Sequence, residues 1–206
     1  GDWRRVAQIA AGDGRVVPCL GVHPWFAAEA ESGWLAELEA ALLGAPACVG
    51  ETGLDAARTW AGQEDVFAAQ LRLGRKLDRP IVIHCVRAWG RLLELLKESG
   101  AAPFMLHAYG GPVELVKELA HLGGYFSFGG EITEPEGARA RAVLQQVPSG
   151  RLLIETDSPR CGARGRPPAG IAEVAGAAAA ALGVPVSIVA ELTRSNGLEF
   201  LRKLRS

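Results

Sequence analysis

The segment 47–55, ACVGETGLD, joins an apolar run to a carboxylate between closely spaced glycines. Three later segments follow the same design: PIVIHC (80–85), PFMLHAY (103–109) and LLIETDSP (152–159). Short apolar runs bounded by Gly or Pro and followed by helix-length segments are typical of strands buried on both faces of a parallel sheet. The polar side chains that end these four runs are Glu51, His84, His107 and Asp157. Because the carboxyl ends of parallel strands share one edge, these side chains indicate a divalent metal site.

The same strand and helix unit recurs along the chain, after a first helix at 3–11. A strand from Arg15 to His23 precedes a helix at 32–43, for which Ser32 is the predicted N-cap. The strand through Glu51 precedes a helix within 63–78, where apolar side chains recur mostly every 3.6 residues. The later helices are predicted at 88–98, 112–122, 136–146, 169–182 and 186–204, with a Pro/Gly/Arg-rich loop at 158–168.

Regular alternation in units of roughly 30 residues indicates right-handed βα crossovers around a parallel sheet. Six strands are predicted, whereas a closed barrel needs about eight. The pattern fits an α/β fold of the TIM-type (β/α)8 barrel kind with about six of its eight strands, in which the N-terminal strand–helix–strand piece is absent from the sequence. An open sheet is the alternative. Residues 1–206 contain no linker, so a single domain is expected.

Composition argues for an ordinary globular protein and against a protein that coats nucleic acid. The chain has 206 residues, of which 49% are hydrophobic and 22% charged, and its formal net charge is -1. A nucleic-acid substrate would therefore be held in a local cleft.

Neither cysteine pattern nor hydropathy indicates secretion or a membrane. Cys19, Cys48, Cys85 and Cys161 form no CxxC pair, so we expect buried, reduced thiols. The apolar stretch 171–184 is interrupted by Glu173 and is too weakly hydrophobic to span a bilayer. A cytoplasmic protein without membrane contact or an obligate protein partner is expected.

Six motifs in order resemble the TatD family of metal-dependent deoxyribonucleases across nearly the whole chain. They are GVHPW (21–25), VGETGLD (49–55), the segment 63–85, MLHAYGG (105–111), YFSFGG (125–130) and LLIETDSP (152–159). The segment LTRSNGLEFL (192–201) is similar to the C-terminal helix of that family. The resemblance implies an amidohydrolase-like barrel with one or two divalent ions, Mg, Mn or Zn, at its rim.

The resemblance also implies roles for individual residues. Glu51 is the carboxylate that bridges the metals, His84 and His107 are imidazole ligands, and Asp157 is a ligand that activates water. His23 faces the substrate phosphate. The sequence departs from the family at two places: the N-terminal His-x-His pair is missing, and the basic residue after His84 stands one position later, at Arg87. The first departure places one metal position in doubt and the second the target of Arg87.

Each site residue also has a plainer interpretation. His84 and His107 are alternatively core histidines, Glu51 a turn cap and His23 a buried structural residue. Asp55 and Glu155 are expected to support ligands or loops. Arg160, with Arg164 and Arg166, either binds phosphate or belongs to a solvated loop. Tyr109 and Trp25 are candidates for stacking on an unpaired base, although packing is favoured for Trp25.

The leading functional hypothesis is a metal-dependent deoxyribonuclease of the 3′ exonuclease type, with DNA or a nucleotide as substrate. A bound divalent ion lowers the pKa of its water towards about 7 and acts as a Lewis acid, which is what phosphodiester hydrolysis needs at neutral pH. Mixed imidazole and carboxylate ligands suit zinc, manganese or a similar ion. The alternatives are a hydrolase of a small ester, amide or nucleotide, and a truncated or non-catalytic family member.

Overall fold

The computed structural model describes residues 2–100, 102–158 and 167–204. Strands and helices alternate through this range. The strands are β1 (Cys19–Leu20), β2 (Cys48–Asp55), β3 (Ile81–Val86), β4 (Phe104–Leu106), β5 (Gly124–Phe128) and β6 (Leu152–Ile154). The helices are α1 (Trp3–Ala11), α2 (Trp34–Leu43), α3 (Gln63–Lys76), α4 (Trp89–Ser99), α5 (Val116–His121), α6 (Ala138–Leu144), α7 (Ile171–Leu182) and α8 (Val186–Phe200).

The strands follow the chain, in the order β1-β2-β3-β4-β5-β6 of a six-stranded sheet. The pairs β1–β2, β2–β3 and β5–β6 are parallel. Parallel neighbours that are consecutive in sequence require a crossover, and a helix supplies it after each strand from β1 to β5. The predicted α/β class is confirmed, and the part of the chain that the structure describes contains the six predicted strands.

The chain divides into two compact units, Gly1–Met105 with Leu201–Ser206 and Leu106–Phe200. In the first unit, α3 packs on β2, and α2 packs on β1 and α3. Side chains with no exposed surface fill this core, among them Leu38, Leu42, Phe67, Leu71 and Ile81. In the second unit, the aromatic strand β5 (GYFSF) is buried along its whole length. The single domain that the sequence suggests stays a prediction.

Helix α3 buries two glutamines as well as the predicted apolar stripe. Gln70 donates to the Val22 carbonyl and to Thr52 Oγ1, and its own Oε1 accepts from the Val22 N–H at 2.7 Å. Gln63 accepts from the Asp55 N–H at 2.7 Å and donates back to the Asp55 carbonyl. Buried amides are tolerated because they are hydrogen-bonded, and these two fix the strand ends that carry the site.

Several boundaries differ from the sequence prediction. Strand β1 spans two residues, Cys19–Leu20, instead of Arg15 to His23, and a 3-10 helix that was not predicted, Pro24–Glu29, begins after three intervening residues. Helix α2 begins at Trp34, and the position before it is Gly33, whose φ of 91° takes the chain into the helix without a side-chain cap. The predicted cap at Ser32 is therefore wrong. Helices α5, α6 and α8 are shorter than predicted.

The cysteines only partly fit the expected buried thiols. Cys48 and Cys85 are buried, but Cys19 is exposed, and Cys161 lies outside the described residues. Burial raises the pKa of the Cys85 thiol to about 12. A hydrogen bond with Cys19, together with burial, raises the pKa of Cys48 well above its ordinary value.

Across residues 2–100, 102–158 and 167–204, no single helix has the length and hydropathy to cross a membrane. The pair Pro168–Leu182 and Val186–Phe200, bent by 108°, passes on length and composition alone.

Candidate metal sites

In the first unit, His84 lies between two carboxylates. Its Nδ1 is 3.1 Å from Glu51 Oε1, and its Nε2 is 3.3 Å from Asp55 Oδ2. The carboxylate of Glu51 is also 3.7 Å from His23 Nε2. The imidazole of His84 is only 16% exposed and that of His23 20%. We call His23, Glu51, His84 and Asp55 the first cluster.

An irregularity in β2 places Glu51 in this cluster. Val49 pairs with Ile81, whereas Thr52 pairs with Ile83, so β2 carries an extra residue between the two pairs. Such a bulge redirects a side chain that regular alternation would place elsewhere. Beyond the bulge Gly53 pairs with His84. A Cβ atom on Gly53 would come within 1.9 Å of the His84 carbonyl oxygen, so β2 can approach the histidine only at a glycine.

Asp55 is held by several donors at once. Its Oδ2 accepts from Trp25 Nε1 at 2.6 Å, and its Oδ1 accepts from the Ala57 N–H at 2.9 Å. Burial raises the pKa of Asp55, but these donors and His84 together outweigh burial and hold the pKa below its ordinary value. The side chain is therefore a buried anion, 5% exposed, that orients the His84 ring.

Three members of the first cluster fit a metal ion. One ligand atom each from His23, Glu51 and His84 lies within 4.8 Å of the others. Two imidazole nitrogens and a carboxylate oxygen form a borderline donor set that suits zinc, manganese or a similar ion. Asp55 is then the carboxylate behind the ligand imidazole, an arrangement that recurs in metal sites.

In the second unit, His107 also lies between two carboxylates. Its Nδ1 is 2.9 Å from Glu155 Oε1, and its Nε2 is 3.5 Å from Asp157 Oδ1. Glu155 also accepts from the Ala108 N–H at 2.8 Å and from Ser127 Oγ at 2.6 Å. Glu155 thus fixes the His107 ring from the inner side, while Asp157, 44% exposed, faces solvent. We call His107, Glu155 and Asp157 the second cluster.

A further acid, Glu131, lies near the second cluster. It accepts from the Gly129 N–H at 2.8 Å. Burial raises the pKa of Glu131, and Glu155 adds to the rise, whereas Gly129 and His107 oppose it. This carboxyl therefore holds its proton to higher pH than an ordinary glutamate.

The turns that follow β3, β4 and β6 each contain a non-glycine residue with a left-handed backbone: Arg87 (φ 55°), Ala108 (φ 43°) and Asp157 (φ 48°). Non-glycine residues adopt this region rarely, and its cost is of order 1 kcal/mol or more. Each of them follows a strand that carries a candidate ligand or is a candidate ligand itself. Strained backbone at these turns agrees with a functional edge.

A family model described as TatD-related DNase matches residues 1–202. The chain belongs to the TatD-related DNase family. The predicted resemblance is confirmed, and the chain is a metal-dependent hydrolase of this family.

Relatives and solved structures of the TatD family agree with this assignment. The chain is 30% identical to human deoxyribonuclease TATDN3, with 100% of this chain and 81% of that protein covered. It is 39% identical to the 3'-5' ssDNA/RNA exonuclease TatD of Edwardsiella piscicida, over 68% of this chain and 56% of that protein. The crystal structure of YJJV, a TatD homologue from Escherichia coli, superposes with a TM-score of 0.89 at 26% identity, over 96% of this chain and 81% of the other.

The residues predicted to bind the substrate differ from one another in exposure and in contacts. Arg87 is exposed. Arg160, Arg164 and Arg166 lie outside the described residues. His23 Nδ1 accepts from the Trp25 N–H at 3.3 Å, while its Nε2 faces Glu51 in the group that could hold a metal ion. Its contact with the substrate phosphate stays a prediction.

The predicted stacking of Tyr109 on a base needs a correction. Its ring is 1% exposed and packs edge-on against Phe126 at 5.0 Å, and its hydroxyl donates to the Pro112 carbonyl at 2.8 Å. A ring with no free face cannot stack on a base, so Tyr109 is a core residue. Trp25, for which packing was favoured, is instead 41% exposed.

Sequence reasoning missed the groups that support the TatD-type ligands. These groups are Ser127 and Glu131 in the second unit and Gln63, Gln70 and the indole of Trp25 in the first. Ser127, Glu131 and Trp25 give no local signal of their roles. The two glutamines stand on the buried stripe of α3. Polar residues on an otherwise apolar face were the one signal available, because a buried amide needs partners.

Proposed function

We propose that this TatD-family protein is a deoxyribonuclease that uses Glu51, His84, His107 and Asp157 to hold one or two divalent ions. The observation that carries the proposal is that the two histidines, each at a strand end, lie between paired carboxylates. An imidazole that is largely shielded from solvent and lies between two carboxylates is in the usual environment of a metal ligand. His23 joins the first cluster as a further donor.

Each side chain has a separate role in the proposed hydrolysis. When bound, a divalent ion supplies Lewis acidity at the phosphoryl oxygens and lowers the pKa of water. Asp55 and Glu155 keep the two imidazoles oriented with their other nitrogens towards Glu51 and Asp157. Asp157 is the more exposed carboxylate, and it accepts the proton of the attacking water.

Cleavage from a 3′ end of single-stranded DNA is part of the proposal. It is supported by the similarity to the Edwardsiella piscicida exonuclease. We expect the reaction in the cytoplasm, with DNA as the main partner.

The test is degradation of a single-stranded oligonucleotide labelled at its 5′ end, in manganese or magnesium. We expect a ladder that shortens from the 3′ end and stops when chelator is added. Asp157→Asn should lower kcat by at least about 100-fold, since it removes both a ligand and the proton acceptor. The matched control is Asp65→Asn, which changes an exposed acid in the first turn of α3.

Activity that persists in chelator would contradict the proposal. So would a substrate panel in which small esters or amides are hydrolysed and every oligonucleotide is left intact. The second result would assign the same clusters to a small-molecule hydrolase.

A further inference from the structure

Two exposed aromatic side chains lie beside the first cluster. Phe26 is 54% exposed and Trp25 41%, both in the 3-10 helix Pro24–Glu29. Their rings are 6.4 Å and 4.9 Å from the ring of His23. Phe26 also lines one cavity of about 770 Å³ together with His23 and Glu51. Large aromatic rings exposed at the edge of a hydrolytic site are suited to contact a substrate.

A guanidinium with free donors completes this surface. The Arg58 guanidinium lies over the Trp25 ring, with its carbon 4.5 Å from the ring centroid. Within residues 2–100, 102–158 and 167–204 it pairs with no carboxylate, and the remaining residues include no Asp or Glu. Arg91, by contrast, is held by Glu64 and Glu94. Stacking on an indole orients a guanidinium without using its N–H donors, which stay available to an anion.

The same surface is connected to the candidate metal ligands. Trp25 Nε1 donates to Asp55 Oδ2, the oxygen that faces His84 Nε2. Arg58 is tied to the strand end as well, since its N–H donates to the Asp55 carbonyl at 3.1 Å. Trp25 therefore has a fixed position relative to the first cluster. A group bound by Arg58 would also be held at a fixed position relative to that cluster.

We propose that Phe26 and the Trp25–Arg58 stack form a subsite for an unpaired nucleotide of a single-stranded substrate. Phe26 stacks on the base, and Arg58 binds a phosphate that is not the one cleaved. This inference rests on the proposed nuclease function and specifies its substrate as single-stranded. Duplex DNA is disfavoured because its bases are already stacked on each other and cannot cover the Phe26 ring.

Phosphate and base contacts can be separated by experiment. The probe is a fluorescein-labelled oligothymidylate of about eight nucleotides with phosphorothioate linkages, compared with an abasic strand of equal charge. Binding is measured by anisotropy in manganese and again in chelator. Phe26→Ala should weaken binding of the oligothymidylate about tenfold and leave the abasic strand unchanged. Arg58→Ala should weaken both strands alike and reduce the slope of log K against log salt by about 0.7.

Matched control variants test whether the loss of an exposed side chain elsewhere on the surface changes binding. Leu43→Ala removes an exposed apolar side chain from α2, and Arg72→Ala removes an exposed guanidinium from α3; both variants should bind as the wild type does. Phe26→Leu keeps an apolar side chain without a ring and should behave like Phe26→Ala. Circular dichroism confirms that each variant is folded.

The subsite is wrong if Phe26→Ala weakens both strands equally, if Arg58→Ala leaves the salt slope unchanged, or if neither strand binds in either condition. Metal-dependent cleavage that continues unchanged in these variants would overturn the subsite and leave the nuclease proposal standing. Specific binding without any cleavage would support the subsite and overturn the nuclease proposal.

Discussion

Asp55 shows how one side chain fixes the orientation of a neighbouring ring. It is a buried anion that accepts hydrogen bonds from Trp25 and Ala57 and faces His84. A carboxylate at Nε2 fixes the ring so that Nδ1 points to Glu51. Outer carboxylates of this kind typically change metal affinity by about 10- to 100-fold when they are altered.

We therefore expect Asp55→Asn to weaken metal binding by about 10- to 100-fold while the protein stays folded. The amide keeps the shape of the side chain but loses the negative charge that supports the imidazole. Calorimetric titration with manganese or zinc measures the affinity, and thermal melting without metal checks the fold. Unchanged metal affinity would mean that Asp55 serves the fold alone.

Trp25→Phe is a useful companion to Asp55→Asn, because it keeps an aromatic ring, although a smaller one, beneath Arg58 and removes the indole N–H. A smaller loss of metal affinity is expected, since the Ala57 donor remains. Glu64, which accepts from the Trp60 indole on the surface, offers the control: Trp60→Phe should leave metal affinity unchanged.

The sequence indicated the candidate ligands and two carboxylates behind them, Asp55 and Glu155, but not the other groups that hold these side chains in place. Glu51, His84, His107 and Asp157 follow apolar runs, and that pattern is local. The bond between Trp25 and Asp55 joins residues 30 positions apart, and its existence depends on how the 3-10 helix after β1 packs. Tyr109 was misassigned for the same reason, because burial of its ring is set by Phe126 on another strand.

Strands were predicted well where Gly and Pro bound the apolar runs. β2, β3 and β6 fall where the sequence indicates them, since a continuous run of Val, Ile and Leu has few other stable environments. Strand β1 was predicted too long, from Arg15 to His23, and the 3-10 helix Pro24–Glu29 was not predicted. The bulge in β2 left no signal beyond its two glycines.

Strand β2 can adopt its observed backbone conformation only with a glycine at position 53. Gly53→Ala should destabilise the protein by several kcal/mol, on the order of 3 or more, because its Cβ would overlap the His84 carbonyl and its φ of 142° is unfavourable for alanine. The loss is measured by urea denaturation, and metal affinity should fall with it since His84 must move.

Gly90→Ala is the matched control for Gly53→Ala. In α4 an added Cβ meets nothing within 4 Å, so alanine should stabilise the protein by about 0.5–1 kcal/mol. Equal effects of the two substitutions would show that the close approach of β2 to His84 does not constrain the strand.

The charge of the chain limits how it can recognise DNA. A formal net charge of -1 with 22 basic and 23 acidic residues leaves no broad positive field for a polyanion. Recognition must then come from a few phosphate contacts, from the metal and from stacking. This agrees with a protein that attacks single-stranded or frayed ends and does not track along duplex DNA.

Salt dependence tests this limited set of contacts. For a single-stranded oligonucleotide, log K should fall with log salt with a slope of about -1 to -2, since each phosphate contact contributes about 0.7. Anisotropy titrations between about 50 and 300 mM NaCl give the slope, with phosphorothioate linkages to prevent cleavage. Arg72→Ala, a charge change away from the first cluster, should not alter it. A slope of log K against log salt steeper than about -4 would instead require an extended basic interface. The lysines and arginines would then have to be concentrated in one surface patch, although the net charge of the chain is close to zero.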